Sequence, residues 1–99
     1  MRNVLLMAVA LLTPMAAYAD RSGEEVYNAK CFVCHASGVA NAPKLGDSAA
    51  WSSRADKGIE GLLKTAKTGI NAMPPMGTCM DCTDKEMTAA IQYMLDNSK

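Results

Sequence analysis

The chemistry of this chain is concentrated in residues 31–35, which read Cys-Phe-Val-Cys-His. In such a C-x-x-C-H motif the two thiols can add to the vinyl groups of a haem, and the adjacent imidazole can reach its iron. Cysteines one helical turn apart match the spacing of the vinyl groups along one porphyrin edge. A bare dithiol, half of a zinc site and a chance match are the competing interpretations. His35 is the only histidine in the sequence, so a histidine ligand must be this residue.

A histidine on one side of the haem leaves the opposite axial position of the iron to be filled. Met73 and Met76 flank Pro74 and Pro75, and proline forces the residue before it into an extended conformation. Two consecutive prolines also keep the segment out of a helix, so that it can lie across a flat ring and direct a thioether at its centre. A His/Met pair is a known haem ligation that raises the reduction potential. The pattern favours Met73 and leaves Met76 as the alternative.

Residues 1–19 have the pattern of an export signal that is cleaved from the mature protein. Arg2 supplies a positive start, residues 4–12 form an apolar run of nine residues, and residues 17–19 are a small-x-small cleavage site. The run is well short of the ~20 residues needed to cross a bilayer, so we expect no permanent membrane anchor. We expect residues 20–99 to form one domain in the bacterial periplasm, an oxidising compartment.

The charge balance of the expected mature chain argues against nucleic acid as a partner. Without Arg2 the chain has nine basic and ten acidic residues, a formal charge of −1. This balance provides no basic face for nucleic acid. A domain as small as residues 20–99 buries little apolar surface by itself. A buried haem is a large apolar group that would enlarge the core.

Glycine and proline divide residues 20–99 into four short helical stretches, and no segment alternates with period two. We therefore predict an all-α fold. The expected stretches begin near residue 23 and run into the haem motif, then cover 47–54, 59–68 and 83–95. The last is the clearest, since a capping box at 83–86 precedes an apolar stripe of Met87, Ala90, Ile91, Met94 and Leu95. We expect Tyr27 and Tyr93 to pack where the first and last helices cross.

Further segments carry a family pattern beside the haem motif. They are Pro-Lys-Leu-Gly at 43–46, Asn-Ala-Met-Pro-Pro at 71–75, Cys-Met-Asp-Cys at 79–82 and Ile-Gln-Tyr-Met-Leu at 91–95. In these segments, which span nearly the whole of the expected mature chain, the sequence resembles class I c-type cytochromes and in particular the cytochrome c5 family.

The resemblance implies a small all-α fold wrapped around one covalently bound haem c. It implies that Cys31 and Cys34 attach the haem and that His35 and Met73 bind its iron, Met73 being the methionine directly before the two prolines. It further suggests that the carbonyl of Pro43 accepts a hydrogen bond from the second ring nitrogen of His35, which fixes the ring and makes it a more basic ligand.

The second C-x-x-C sequence, at residues 79–82, is not followed by histidine, so we expect no second haem. A four-cysteine zinc site is the alternative, but the interval from Cys34 to Cys79 is far longer than in a zinc ribbon. With the first two thiols bonded to haem, the resemblance implies a disulfide between Cys79 and Cys82.

Trp51 and Arg54 are three residues apart and share one face of the short second helix. The resemblance suggests that the indole N–H and the guanidinium hold the haem propionates. A core tryptophan beside a solvated arginine is the alternative.

With both axial positions filled by protein, the iron has no open site for a substrate. The expected function is the transfer of single electrons between respiratory partners, by a carrier that is not an enzyme and that meets redox proteins through transient contacts. The carrier is expected to be a monomer or a weak dimer. The alternative is a haem enzyme or small-gas-binding module, similar to a peroxidase, in which the methionine ligand dissociates.

Overall fold

The computed structural model describes residues 20–99; the expected export signal, residues 1–19, lies outside the described part of the chain. Residues 20–99 are helical and contain no strand, only an isolated bridge between Ile70 and Met73. The predicted all-α fold is confirmed. Across the same residues, every helix is too short or too polar to span a membrane.

The helical stretches lie where the sequence predicts them, with small shifts at their ends. The first consists of α1 (Gly23–Val26), a π-helical segment (Tyr27–Cys31) and α2 (Phe32–His35) in direct succession. The others are α3 (Ser48–Ala55), α4 (Gly58–Thr68) and α5 (Asp84–Asp96). Short 3₁₀ turns occupy Val39–Asn41 and Pro75–Thr78 in the loops. The π-helical segment and these turns are features that the sequence pattern does not predict.

Side-chain caps fix where three of the helices begin. Asp47 accepts a hydrogen bond from the N–H of Ala50 at 3.1 Å and starts α3, as predicted. Thr83 and Glu86 form the predicted capping box of α5, and Ser22 forms a second box with Glu25 before α1. Each box satisfies backbone N–H groups that the first helical turn leaves without a partner.

The helices α1 and α5 cross so closely that only glycine fits at the contact. A Cβ atom on Gly23 would overlap the carbonyl oxygen of Ala89 and lie 3.1 Å from the Cβ of Tyr93. One turn further on, the rings of Tyr27 and Tyr93 pack with centroids 5.3 Å apart, which confirms the predicted pair. This crossing joins the helix that carries the haem motif to the end of the described chain.

The main core is formed by buried side chains of α1, α4 and α5 together with Cys79 and Cys82; its members from the helices are Val26, Leu62, Ala66, Met87, Ala90 and Ile91. Half-buried Cys31, Met73 and Met76 pack against it. A second cluster contains Tyr27, Trp51 and Met94. Cys31 contacts both clusters, so the helix around the haem motif is held from two sides.

Candidate haem site

The two cysteines of the C-x-x-C-H motif lie in the first helical stretch, and neither takes part in a disulfide. Cys31 is the last residue of the π-helical segment and Cys34 lies in α2, and both are half-buried. The π geometry, in which the N–H of Phe32 bonds to the carbonyl of Tyr27, is rare and recurs at functional sites. Burial raises the pKa of the Cys31 thiol to about 11.

His35 is held in the form that a metal ligand requires. Its imidazole is buried, and Nδ1 lies 2.8 Å from the carbonyl oxygen of Pro43, the contact that the family resemblance suggests. Because a carbonyl oxygen only accepts hydrogen bonds, Nδ1 carries the proton and Nε2 presents a lone pair. The hydrogen bond also fixes the ring and increases the basicity of Nε2.

Residues 43–46, which we call the ligand strap, hold the backbone of His35 as well as its ring. The N–H of Leu45 donates to the carbonyl of His35 at 2.7 Å. Trp51 donates its indole N–H to the carbonyl of Lys44 at 3.1 Å, and its ring lies against the imidazole with centroids 5.7 Å apart. The strap therefore joins the histidine to α3.

The same contact bears on the two interpretations of Trp51 and Arg54. Trp51 is buried and its indole N–H is bonded to the carbonyl of Lys44, which favours the core interpretation, while the role in holding a haem propionate stays a prediction. Arg54 is half-buried and donates through Nη1 to the carbonyl of Ala50, one turn back in α3, at 2.7 Å. The structure supports the alternative in which Trp51 is a core side chain.

Met73 lies in a tight loop directly after α4. Its N–H donates to the carbonyl of Ile70 at 2.8 Å, and its own carbonyl accepts from the N–H of Ile70 at 3.0 Å. Gly69 ends α4 with a φ of 83°, and a Cβ atom there would lie 2.8 Å from the carbonyl oxygen of Met73 and 2.9 Å from the nitrogen of Pro75. Glycine is thus required both by the left-handed backbone and by the close approach of the loop.

Met76 begins three consecutive residues with left-handed backbone: Met76 at 63°, Gly77 at 53° and Thr78 at 68°. Such angles are uncommon for residues other than glycine, and strain of this kind clusters at functional sites. The methyl carbon of Met73 lies against this turn, 3.2 Å from the position of a Cβ on Gly77. The structure thus brings both candidate methionines onto the core that Cys31 contacts.

Cys79 and Cys82 are joined by a disulfide and are buried in the core. Because their sulfurs are bonded to each other, this pair does not form the zinc site considered as an alternative. Arg21 approaches the disulfide, with Nη2 at 3.5 Å from the Sγ of Cys82. Its Nε donates to Glu86 at 2.8 Å and its backbone N–H donates to the same carboxylate at 2.9 Å. Arg21 therefore fastens the segment before α1 to the start of α5, a role that the sequence analysis missed.

Because of the contact between Arg21 and Glu86, the free energy of unfolding should depend on pH in the acid range. Hydrogen bonds from the Arg21 side chain and the Thr83 N–H lower the pKa of Glu86 from its ordinary 4.5 to about 2. A carboxyl with a lowered pKa stabilises the fold fully above its unfolded value, and this stabilisation is lost as the pH falls through the folded value. We expect the free energy of unfolding, measured with urea, to fall between about pH 4.5 and about pH 2.

The variant Glu86→Gln isolates this effect. It should be less stable than the wild type at neutral pH, and the difference should shrink across the same acid window. Hydrogen bonds from Ser22 also lower the pKa of Glu25, which titrates in both proteins, while the charge of Glu86 raises it in the wild type alone. A difference between the two proteins that stays constant from neutral pH to pH 2 would contradict the assignment.

The donor set fits a covalently attached haem. Cys31 and the loop of Met73 pack against the main core, and the imidazole of His35 lies against Trp51 of the second cluster, which Cys31 also contacts. Phe32 and Val33, between the two cysteines, leave 47% and 62% of their surface exposed. Because both side chains are apolar, they could pack against the edge of a porphyrin attached to the two cysteines.

The comparisons with known proteins agree with this chemistry. A family model described as cytochrome C oxidase, cbb3-type, subunit III, matches residues 18–94. Cytochrome c5 of Azotobacter vinelandii is 55% identical over 76 residues, which cover 75% of this chain and 92% of that protein. A solved mono-haem ferrocytochrome c from Shewanella putrefaciens is 50% identical with a TM-score of 0.71, and the match covers 82% of this chain and all of that one.

A second solved structure is a cytochrome c in an electron-transfer complex with nitrite reductase. It is 46% identical with a TM-score of 0.76, and the match covers 81% of this chain and 98% of that chain. The match to the family model covers residues 18–94, which include the C-x-x-C-H motif and the loop of Met73. The chain therefore belongs to the class I c-type cytochromes, in the cytochrome c5 family.

Proposed function

We propose that this protein carries single electrons between redox proteins on one covalently attached haem c. The observation that carries the proposal is the arrangement of His35 within the C-x-x-C-H motif. The carbonyl oxygen of Pro43 lies 2.8 Å from Nδ1 and keeps the proton there, so Nε2 offers a lone pair on the residue that directly follows Cys34.

The residues have distinct roles in this proposal. Cys31 and Cys34 would hold the haem through thioether bonds, and His35 and Met73 would bind its iron. When bound, the haem supplies a one-electron Fe(III)/Fe(II) couple whose potential methionine ligation raises. Support for Met73 comes from its backbone pairing with Ile70 and from the prolines that follow it. With no open axial position, the protein is a carrier and not an enzyme.

The partners are proposed to be redox proteins that bind briefly. A related cytochrome c, 46% identical, has been solved in complex with nitrite reductase, and we infer a partner of the same general kind for this chain. Exposed Phe32, Val33 and Val39 lie in and just after the haem motif and provide an apolar contact area. Small interfaces of this type suit electron transfer because the complex must dissociate after each exchange. The carrier acts as a monomer or a weak dimer.

Processing and location follow from the same chemistry. We propose that residues 1–19 are removed on export and that residues 20–99 act as a single domain in the periplasm. The Cys79–Cys82 disulfide supports this, because disulfides persist in oxidising compartments.

Carbon monoxide distinguishes the carrier from a haem enzyme or gas-binding module. The purified, dithionite-reduced protein should show almost no spectral change on addition of carbon monoxide at neutral pH, because Met73 remains bound to the iron. Voltammetry should show one reversible one-electron couple. Rapid and complete carbon monoxide binding would instead support the alternative in which the methionine dissociates, an alternative that no relative described above favours.

A further inference from the structure

We propose that Ser98 is a positioning residue for His35, acting through the ligand strap of residues 43–46. The inference rests on the proposed function, in which His35 binds the haem iron. It adds a residue from the far end of the chain to the machinery that sets the reduction potential.

Ser98 is buried although it is the penultimate residue of the chain, with 4% of its surface exposed. Its Oγ accepts a hydrogen bond from the N–H of Gly46 at 2.8 Å, and its own N–H donates to the carbonyl of Leu95 at 3.2 Å. A polar side chain is buried at low cost only when it is hydrogen-bonded. Ser98 thus links the end of α5 to the ligand strap.

All four residues of the strap are hydrogen-bonded to other parts of the fold. Pro43 accepts from the ring of His35, Leu45 donates to the backbone of His35, and Lys44 accepts from Trp51. The bond from Gly46 to Ser98 secures the remaining end. The strap is therefore held by α3 on one side and by the end of α5 on the other, with the His35 ligand between its contacts.

The Ser98 contact differs from an ordinary stabilising contact because Gly46 is itself exposed. If the Ser98 hydroxyl is removed, water can replace it as the partner of the Gly46 N–H, so the fold should tolerate the change. The position of the strap is then less tightly fixed, and the hydrogen bond from His35 Nδ1 to Pro43 weakens. A weaker bond makes the imidazole a poorer electron donor, which disfavours Fe(III) and shifts the potential to more positive values.

The test compares Ser98→Ala with the wild-type holoprotein. We expect the midpoint potential of Ser98→Ala to move positive, by about a twofold change in the ratio of reduced to oxidised haem at a fixed potential. We also expect the Nδ1 proton of His35 to exchange faster with deuterated solvent in NMR spectra. Ser98→Thr keeps the hydroxyl and should restore both properties. Ser53→Ala removes an exposed serine hydroxyl bonded to Ala50 at 3.2 Å and should behave as the wild type.

An unchanged potential and an unchanged exchange rate in Ser98→Ala would overturn the inference while leaving the proposed function intact. If Ser98→Ala does not fold, the same measurements on Ser98→Cys, whose thiol is a weak acceptor, decide the question with the same expected directions. If the wild type shows no reversible haem couple, both the proposed function and this inference fail. Equal shifts in Ser53→Ala and Ser98→Ala would also overturn it, because the effect would then not depend on the strap.

Discussion

Replacing Met73 by alanine is expected to abolish the weak absorbance band near 700 nm that a bond between methionine sulfur and ferric iron produces. The midpoint potential should fall by roughly 0.1 V or more, because methionine ligation raises it and axial ligands together span about 0.8 V. The variant should also bind carbon monoxide when reduced, since one coordination position is open. Visible spectra in both oxidation states and voltammetry measure all three effects.

Met76→Ala is the matched control. Met76 lies in the same loop, is half-buried and packs on the same core as Met73, so its replacement removes a similar amount of packing. We expect this variant to keep the band and to bind little carbon monoxide. If Met73→Ala keeps the band and Met76→Ala loses it, the ligand is Met76 and the assignment from the prolines is wrong.

Gly69→Ala is expected to displace the loop that carries Met73 while leaving the Met73 side chain itself unchanged. The added Cβ would lie 2.8 Å from the carbonyl oxygen of Met73 and 2.9 Å from the nitrogen of Pro75, so the loop must move. Overpacking of this kind costs roughly 1–3 kcal/mol. The backbone of Gly69, with φ 83° and ψ 157°, lies in a region that is essentially restricted to glycine and adds a further penalty of about 1–3 kcal/mol for alanine. We expect both costs in the free energy of unfolding, together with a weaker band near 700 nm.

Gly58→Ala separates these two costs. Gly58 also has a left-handed φ, 72°, but a Cβ atom there would meet nothing within 4 Å. This control should therefore show only the backbone penalty, about 1–2 kcal/mol in urea or guanidinium unfolding, with the band unchanged. Equal destabilisation in the two variants, with equal bands, would show that the close approach of Gly69 to the loop of Met73 does not constrain the ligand.

The sequence predicts most of the fold because its signals are local. The capping box at Thr83 and the stripe after it place α5 correctly, and Asp47 and Gly69 mark the start of α3 and the end of α4. The π-helical segment Tyr27–Cys31 is not foreseen, because one extra residue in a helical turn leaves the spacing of apolar residues almost unchanged.

The candidate haem ligands are accessible to sequence reasoning for the same reason. Cys31, Cys34 and His35 stand in one short motif, and Met73 is marked by the prolines beside it. Contacts between distant residues are different. The bond from Gly46 to Ser98 spans 52 residues, and that from Arg21 to Glu86 spans 65. No local sequence pattern predicts either hydrogen bond, because each depends on how α5 packs against the rest of the chain.

The spacing of Trp51 and Arg54 is a local signal that leaves the contacts of their side chains undetermined. Its spacing from Arg54 correctly places the two residues on one helix face, but the spacing does not say what lies opposite that face. In the structure the carbonyl of Lys44, from the ligand strap, takes the indole N–H at 3.1 Å. The indole N–H therefore holds the strap in this structure, and a role in binding a propionate stays a prediction.

The covalent bond between haem and the thiols of Cys31 and Cys34 is tested most directly by acid–acetone extraction of the purified protein, followed by intact mass spectrometry. We expect the pigment to remain with the polypeptide, and the mass to equal that of the processed chain plus one haem. A colourless polypeptide, with the haem in the acetone phase and both thiols open to alkylation, would contradict the assignment.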